Sequence, residues 1–163
     1  MRSVADFYQD CMAVAHALPP LDVQLADAVS CVLAEDVQAP FNLPVADLSA
    51  CDGYAVRIRD CEGATLESPV TLPVTEEIRA GAVDPAALVP GTAIRIASGA
   101  PMPSGAEAVV SLEFTDHGIA QVALRTAPAS CENIRRRAED VAQGDTVLRS
   151  GTRIGARQMA LLA

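Results

Sequence analysis

The chain has 163 residues, half of them hydrophobic and a fifth charged, with a mean hydropathy of +0.24. This composition excludes intrinsic disorder, and Gly 10 with Pro 11 excludes a collagen-like or linker protein. Its 21 acids against 12 bases, every base an arginine, give a net charge of −9, without the surplus cations that non-specific nucleic-acid binding requires. No apolar run approaches the ~18 residues of a membrane span. The opening MRSVADFYQD carries two acids and no apolar core of a leader, so a cytoplasmic protein without a secretory signal is expected. Five cysteines, at 11, 31, 51, 61 and 131, are odd in number and include no CxxC pair, which predicts reduced, mostly buried thiols.

In chain order, Val4, Phe7, Tyr8, Cys11, Met12, Ala15 and Leu18 recur at helical spacing behind Ser3, with Asp6 three residues on. This predicts an amphipathic helix opened by a capping box and ended by Pro19-Pro20. A shorter helical stretch is expected over 25–29, followed by an irregular connector over 39–44. The pattern then changes to brief β-branched or alternating runs at 53–58, 70–74, 93–97, 108–112 and 119–124, separated by Gly, Pro and Asp turns. They predict an antiparallel, barrel-like β-domain or small sandwich. Val147-Leu148 and Ile154 flank Ser150-Gly151 in a hairpin-like pattern, and 156–163 reads as a helix that is apolar to its last residue, as if cut before its natural end.

Three clusters carry the chemistry. In the run 47–56, DLSACDGYAV, the Ser49-x-x-Asp52-Gly53 pattern either caps one helical turn or presents the Asp52 carboxylate at an edge, to a hydrated cation or a substrate amide or hydroxyl. In the run 98–105, SGAPMPSG, two prolines stiffen a loop in which Gly99 permits unusual φ. That loop is either a plain connection or an anion-accepting nest with the Ser98 hydroxyl. The triplet Arg135-Arg136-Arg137 precedes Glu139-Asp140. Extended backbone would put Arg135 and Arg137 on one face, for forked contacts to phosphate or carboxylate, and local pairing with the neighbouring acids is the alternative. His16 and His117 have no acid, cysteine or second histidine nearby in sequence, so no Ser/His/Asp triad is argued.

Taken together and in order, Leu33-Ala34-Glu35-Asp36-Val37, Ser49 to Val56, Ala80-Gly81, Pro90-Gly91, Arg95 to Pro101, Gly105 to Val110, Asn133-Ile134-Arg135, Glu139-Asp140 and Leu161-Leu162-Ala163 resemble the N-terminal half of the MoeA family. That family comprises the molybdopterin molybdenumtransferases, related to the E domain of gephyrin. The resemblance implies an α+β fold in two domains: a discontinuous α/β domain from both chain ends, 1–46 with 140–163, and an inserted β-rich, barrel-like domain, 47–139. It implies part of an enzyme that inserts molybdate into adenylylated molybdopterin, releasing AMP in a Mg²⁺-dependent step, and that forms a homodimer supplied by an upstream molybdopterin adenylyltransferase. Without the family's pterin-binding domain the chain is expected to be inactive alone.

Carried over by position, the resemblance implies Asp52 and Ser98 as catalytic, with Asp52 toward Mg²⁺, and Gly99, Arg135, Arg137, Glu139 and Asp140 as substrate-binding. The chain departs from the family pattern at Leu48 (usually Asn), Cys51 (Met), Ser98 (Thr) and Ala138 (Gly). Ala138 is strained if its position requires positive φ. Three other readings stand beside the transferase: a gephyrin-like scaffolding module, a divergent inactive paralogue, and a metal-dependent hydrolase built on Asp47, Asp52, Glu139 and Asp140.

Overall fold

The structure, a computed structural model, describes residues 2–16 and 18–163. Its elements in chain order are α1 (Val4–Val14), β1 (Val37–Gln38), β2 (Leu48–Ser49), β3 (Gly53–Val56), β4 (Val70–Ile78), β5 (Ala93–Ile96), β6 (Ala108–Ser111), β7 (Gln121–Leu124), β8 (Ile134–Arg135), β9 (Thr146–Leu148) and α2 (Ala156–Leu162). They form two compact units, one of Met1–Gln38 with Thr146–Ala163 and one of Ala39–Asp145. The boundaries expected from sequence, 46/47 and 139/140, lie inside the second unit, where Leu43 bridges Val141 and the Ala39 N–H donates to Asp145 O at 2.9 Å.

In the first unit α1 opens on the expected capping box: the Ser3 hydroxyl accepts from the Asp6 N–H, and the Asp6 carboxylate accepts from the Ser3 backbone. The helix stops at Val14, before the prolines, and buries none of its residues; Phe7, Tyr8 and Met12 of the apolar stripe are all exposed. The stretch expected to be helical over 25–29 is a single 3-10 turn, Leu25–Asp27. The hairpin expected near Ser150-Gly151 is not one. Its turn exists, but the flanking residues pair with the start of the chain: Val37 with Leu148, Gln38 with Thr146, and Val32 with Arg153. Local pattern reveals a turn but not the distant partner, which here is set by hydrogen bonds such as Ser30 N–H to Ile154 O and Ile154 N–H to Cys31 O, both 2.8 Å.

The second unit holds a five-stranded sheet in the order β6-β3-β5-β4-β7. All pairs are antiparallel except β4 with β5, which is parallel. Each of the five strands expected from sequence is present, and β4 runs on to Ile78 past its expected end. The two edges meet where Thr115, just beyond β6, bridges Leu124 of β7, so the sheet curls on itself. Side chains alternate between two cores. Tyr54, Val56, Ala93, Val110, Val122 and Leu124 pack on one face; Ala55, Ile78, Ile94, Ile96 and Val109 pack on the other with Leu88 and Ala100. Both faces of β3 are covered, which explains why all four of its residues are buried.

Gly53 opens β3 under tight constraint. A Cβ there would lie 2.2 Å from Val110 O and 2.9 Å from Val109 Cγ1, so only hydrogen fits between β3 and β6. The residue before it, Asp52, is thereby fixed at the sheet's end.

Candidate functional site

The three clusters singled out by sequence converge in the second unit. β2 pairs antiparallel with β8, Leu48 opposite Arg135 and Ser49 opposite Ile134, and Leu48 also bridges Pro101. The segment 47–53 therefore runs between 134–135 and 98–102. Ser49 N–H donates to Ala100 O, Gly99 N–H to Ser49 O and Met102 N–H to Asp47 O, each at 2.9 Å. Ser49 itself is buried, and its hydroxyl donates to Cys51 O at 2.6 Å rather than capping a helical turn. That turn does not form, because the backbone of 48–49 is committed to β pairing on both sides.

Asp52 and Ser98 meet directly. The Ser98 backbone N–H donates to Asp52 Oδ1 at 2.7 Å, while the Ser98 hydroxyl reaches Ala50 O only at 3.4 Å. Gly99, at φ +75, makes the turn that brings this N–H round, a conformation glycine adopts without steric cost. Both Asp52 and Ser98 are exposed. Among the described residues Asp52 Oδ2 accepts no hydrogen bond and the Ser98 hydroxyl has one long partner, so both atoms can turn to an incoming molecule.

The arginine cluster is organised by pairing. Arg135 Nη2 donates to Asp140 Oδ2 at 2.5 Å, and Glu139 Oε2 accepts from the Arg136 backbone N–H at 2.7 Å. After β8 the chain leaves the extended conformation, so Arg135 and Arg137 do not share the expected strand face. Arg137 is exposed, and its side chain has no ion-pair partner among the described residues. Ala138 stands at φ +63, in the left-handed region where a Cβ is strained, as its departure from glycine anticipated.

Asp47, expected from sequence only as a carboxylate of the hydrolase alternative, organises this loop. Its Oδ2 accepts from Arg136 Nη1 at 2.6 Å and its Oδ1 from the Arg137 backbone N–H at 2.7 Å. That N–H first, then the Arg136 guanidinium, hold the Asp47 carboxyl below the usual carboxylate range against a partial desolvation that raises it. Nothing local in sequence signals the pairing, because its partners lie about 90 positions away. The Arg136 guanidinium also contacts Cys131 Sγ.

A pocket of about 120 Å³ opens beside Asp52, lined by Asp52, Gly53, Glu77, Arg95, Ile96, Ala97 and Leu112. A second, of about 220 Å³, shares Glu77 and Arg95 with it. Ser98, Glu139 and Asp140 line neither. Among the described residues no three of His, Cys, Asp and Glu gather as a metal site. The four carboxylates of the hydrolase alternative are thus not gathered, and Asp47, Glu139 and Asp140 each accept from a backbone or arginine partner. The cysteines are all free, but only Cys61 is buried; Cys11 and Cys31 are exposed, correcting the expectation of mostly buried thiols. No helix among the described residues is long and apolar enough to cross a membrane.

Comparison with known proteins matches residues 2–163 to a family model described as MoeA N-terminal region (domain I and II). A molybdopterin molybdenumtransferase 2 of Mycobacterium tuberculosis is 49% identical over 151 residues, covering 93% of this chain and 37% of the relative. The molybdopterin molybdenumtransferase of Bacillus subtilis is 39% identical, covering 86% of this chain and 34% of its own. Among solved structures, a molybdopterin biosynthesis moeA protein from Pyrococcus horikoshii OT3 superposes with a TM-score of 0.80 at 37% identity, over 86% of this chain and 37% of that one. The chain thus spans little more than a third of the length of these relatives.

Proposed function

Because the chain belongs to the MoeA family, as its N-terminal domains I and II, and so to molybdenum cofactor biosynthesis, we propose that it supplies one wall of the cleft in which molybdate is inserted into adenylylated molybdopterin with release of AMP. The observation that carries this reading is the 2.7 Å bond from the Ser98 N–H to Asp52, which unites two sequence motifs 46 positions apart at an exposed edge. The bond fixes the Asp52 carboxylate and leaves its second oxygen, with the Ser98 hydroxyl, directed at substrate. Gly99 gives the backbone its close turn, and Arg135 and Arg137 offer guanidinium donors toward substrate oxyanions, Arg135 from its pair with Asp140. Glu139 and Asp140 act on substrate through the arginine loop that they brace.

Mg²⁺ is commonly held by one or two carboxylates together with substrate phosphates, and an exposed Asp52 with one uncommitted oxygen fits that need. When bound, the ion would neutralise charge developing on the phosphate released as AMP. The pockets of about 120 and 220 Å³ are smaller than the ~300–1000 Å³ that usually encloses such a ligand, which supports a shared, incomplete cleft and an inactive isolated chain. A homodimer supplied with adenylylated pterin by an upstream adenylyltransferase completes the proposal, and five free cysteines support a reducing, cytoplasmic setting.

The test is restoration of molybdoenzyme activity in cells lacking their molybdenumtransferase. The complete gene product is expected to restore it, Asp52→Asn to reduce it at least tenfold, Ser98→Ala to reduce it less, and the 163-residue chain to restore nothing. Full activity of both variants would overturn the reading in favour of a scaffold, whose function does not need that edge.

A further inference from the structure

Asp47 is a junction of the three clusters. It opens the segment that leads to Asp52, its carbonyl oxygen accepts from the Met102 N–H of the 98–105 loop at 2.9 Å, and its carboxylate accepts from the arginine loop. That loop is pinned along its length by the segment before β2. The Arg137 N–H donates to Asp47 Oδ1 at 2.7 Å, and the Ala138 and Asp140 N–H groups donate to Pro44 O and Leu43 O, both at 3.0 Å. The Arg136 and Glu139 N–H groups close within the loop, on Glu139 Oε2 and Arg136 O. Of the acceptors supplied by 43–47, only those of Asp47 belong to a side chain.

The pinning holds Ala138 at φ +63, a conformation that a residue with a Cβ keeps only where its surroundings over-determine it. It also sorts the arginines. Arg136 is spent on Asp47 Oδ2 at 2.6 Å, and Arg135 is paired with Asp140 at 2.5 Å. Arg137 is left exposed and without an ion pair among the described residues, on a backbone fixed at its own N–H. A guanidinium on a fixed backbone loses less freedom on gripping an anion than one on a free loop, so the fixing favours binding. We propose that Asp47 is a positioning residue for substrate binding: by holding the Arg137 N–H and the Arg136 guanidinium, it aims the unpaired Arg137 side chain at an anionic group of the substrate. This role rests on the transferase reading and deepens it. Arg137 lines neither pocket beside Asp52, so the group it meets lies outside them, in a part of the substrate that does not react. A contact of that kind is shared by the ground and transition states, and its loss raises KM while leaving kcat.

The test is steady-state insertion of molybdate into adenylylated molybdopterin by the complete gene product, in a double-mutant cycle of Asp47→Ala and Arg137→Gln. Each substitution alone is expected to raise KM for the adenylylated pterin about fivefold or more, with kcat within about twofold of wild type. In the Arg137→Gln background Asp47→Ala should raise KM by less than about twofold, because the side chain that it aims is gone. Asp47→Asn keeps one carbonyl acceptor and is expected to recover part of the loss; it takes the place of Asp47→Ala in the cycle if the alanine variant does not fold. An unchanged KM, a fall in kcat alone, or full additivity of the two substitutions overturns the inference. If neither Asp47 variant folds, the residue serves stability and the inference falls as well. If the wild-type protein inserts no molybdate, the transferase reading falls and takes this role with it. If insertion proceeds and the cycle is additive, the role of Asp47 alone falls.

Discussion

At the scale of single residues, the site is held by a few atoms with no freedom to vary. Gly53→Ala forces a methyl to within 2.2 Å of Val110 O, a backbone atom that cannot swing aside. The expected loss is about 3 kcal/mol, read from the denaturant midpoint, because overpacking between two hydrogen-bonded strands has no cheap relaxation. Ala138→Gly acts in the other direction: relieving a Cβ at φ +63 should add about 1 kcal/mol of stability. Asp47→Asn removes the charge that Arg136 and the Arg137 N–H share and is expected to cost about 1 kcal/mol, the modest value of a partly exposed pair. The pH dependence follows in sign. A carboxyl lowered in the folded state contributes stability above its unfolded value of about 3.9 and loses it as pH falls through the folded value. Acid should therefore loosen the 136–140 loop below about pH 4, seen as faster amide exchange at Arg137, and Asp47→Asn should abolish that step.

At the scale of elements, the reach of the sequence depended on how local each signal was. The five sheet strands and the capping box of α1 were legible because alternation and Ser3-x-x-Asp6 are contained in a few neighbouring residues. β2 and β8 were not, since two residues carry no period and exist only through pairing across the unit. Asp52 was recognisable by motif. The bracing role of Asp47 was not, because it lies in an acceptor geometry completed by the arginine loop. The helix α1 shows a different limit: its apolar spacing is real, yet the stripe covers nothing among the described residues. An 11-residue helix without packing is marginal in water, so its cap matters disproportionately. Ser3→Ala should cost that helix about 1 kcal/mol, visible as lost helical ellipticity with the β-sheet signal intact.

At the scale of the whole molecule, thiol chemistry reports burial throughout the chain in one experiment. Burial pushes the Cys61 thiol up to about 11, whereas Cys11 and Cys31 are exposed. Alkylation at pH 8 followed by mass spectrometry should modify Cys11 and Cys31 first and Cys61 only on unfolding, because the thiolate is the reacting species. Equal rates at Cys11 and Cys61 would contradict the packing of the Tyr54 core.

The pairing of the two chain ends also sets a timetable for synthesis. The long-range partners of residues 30–38 lie in 146–154, so on the ribosome they wait while all of 39–145 emerges. At ~5–20 residues per second that delay is roughly 5–20 s. The inserted unit can use the interval, since its own ends are joined by the Ala39 N–H to Asp145 O and Gly144 N–H to Ala39 O bonds, both 2.9 Å. Its closure brings Gln38 and Thr146 side by side, so the first unit need not search for its second half: the finished insert delivers it.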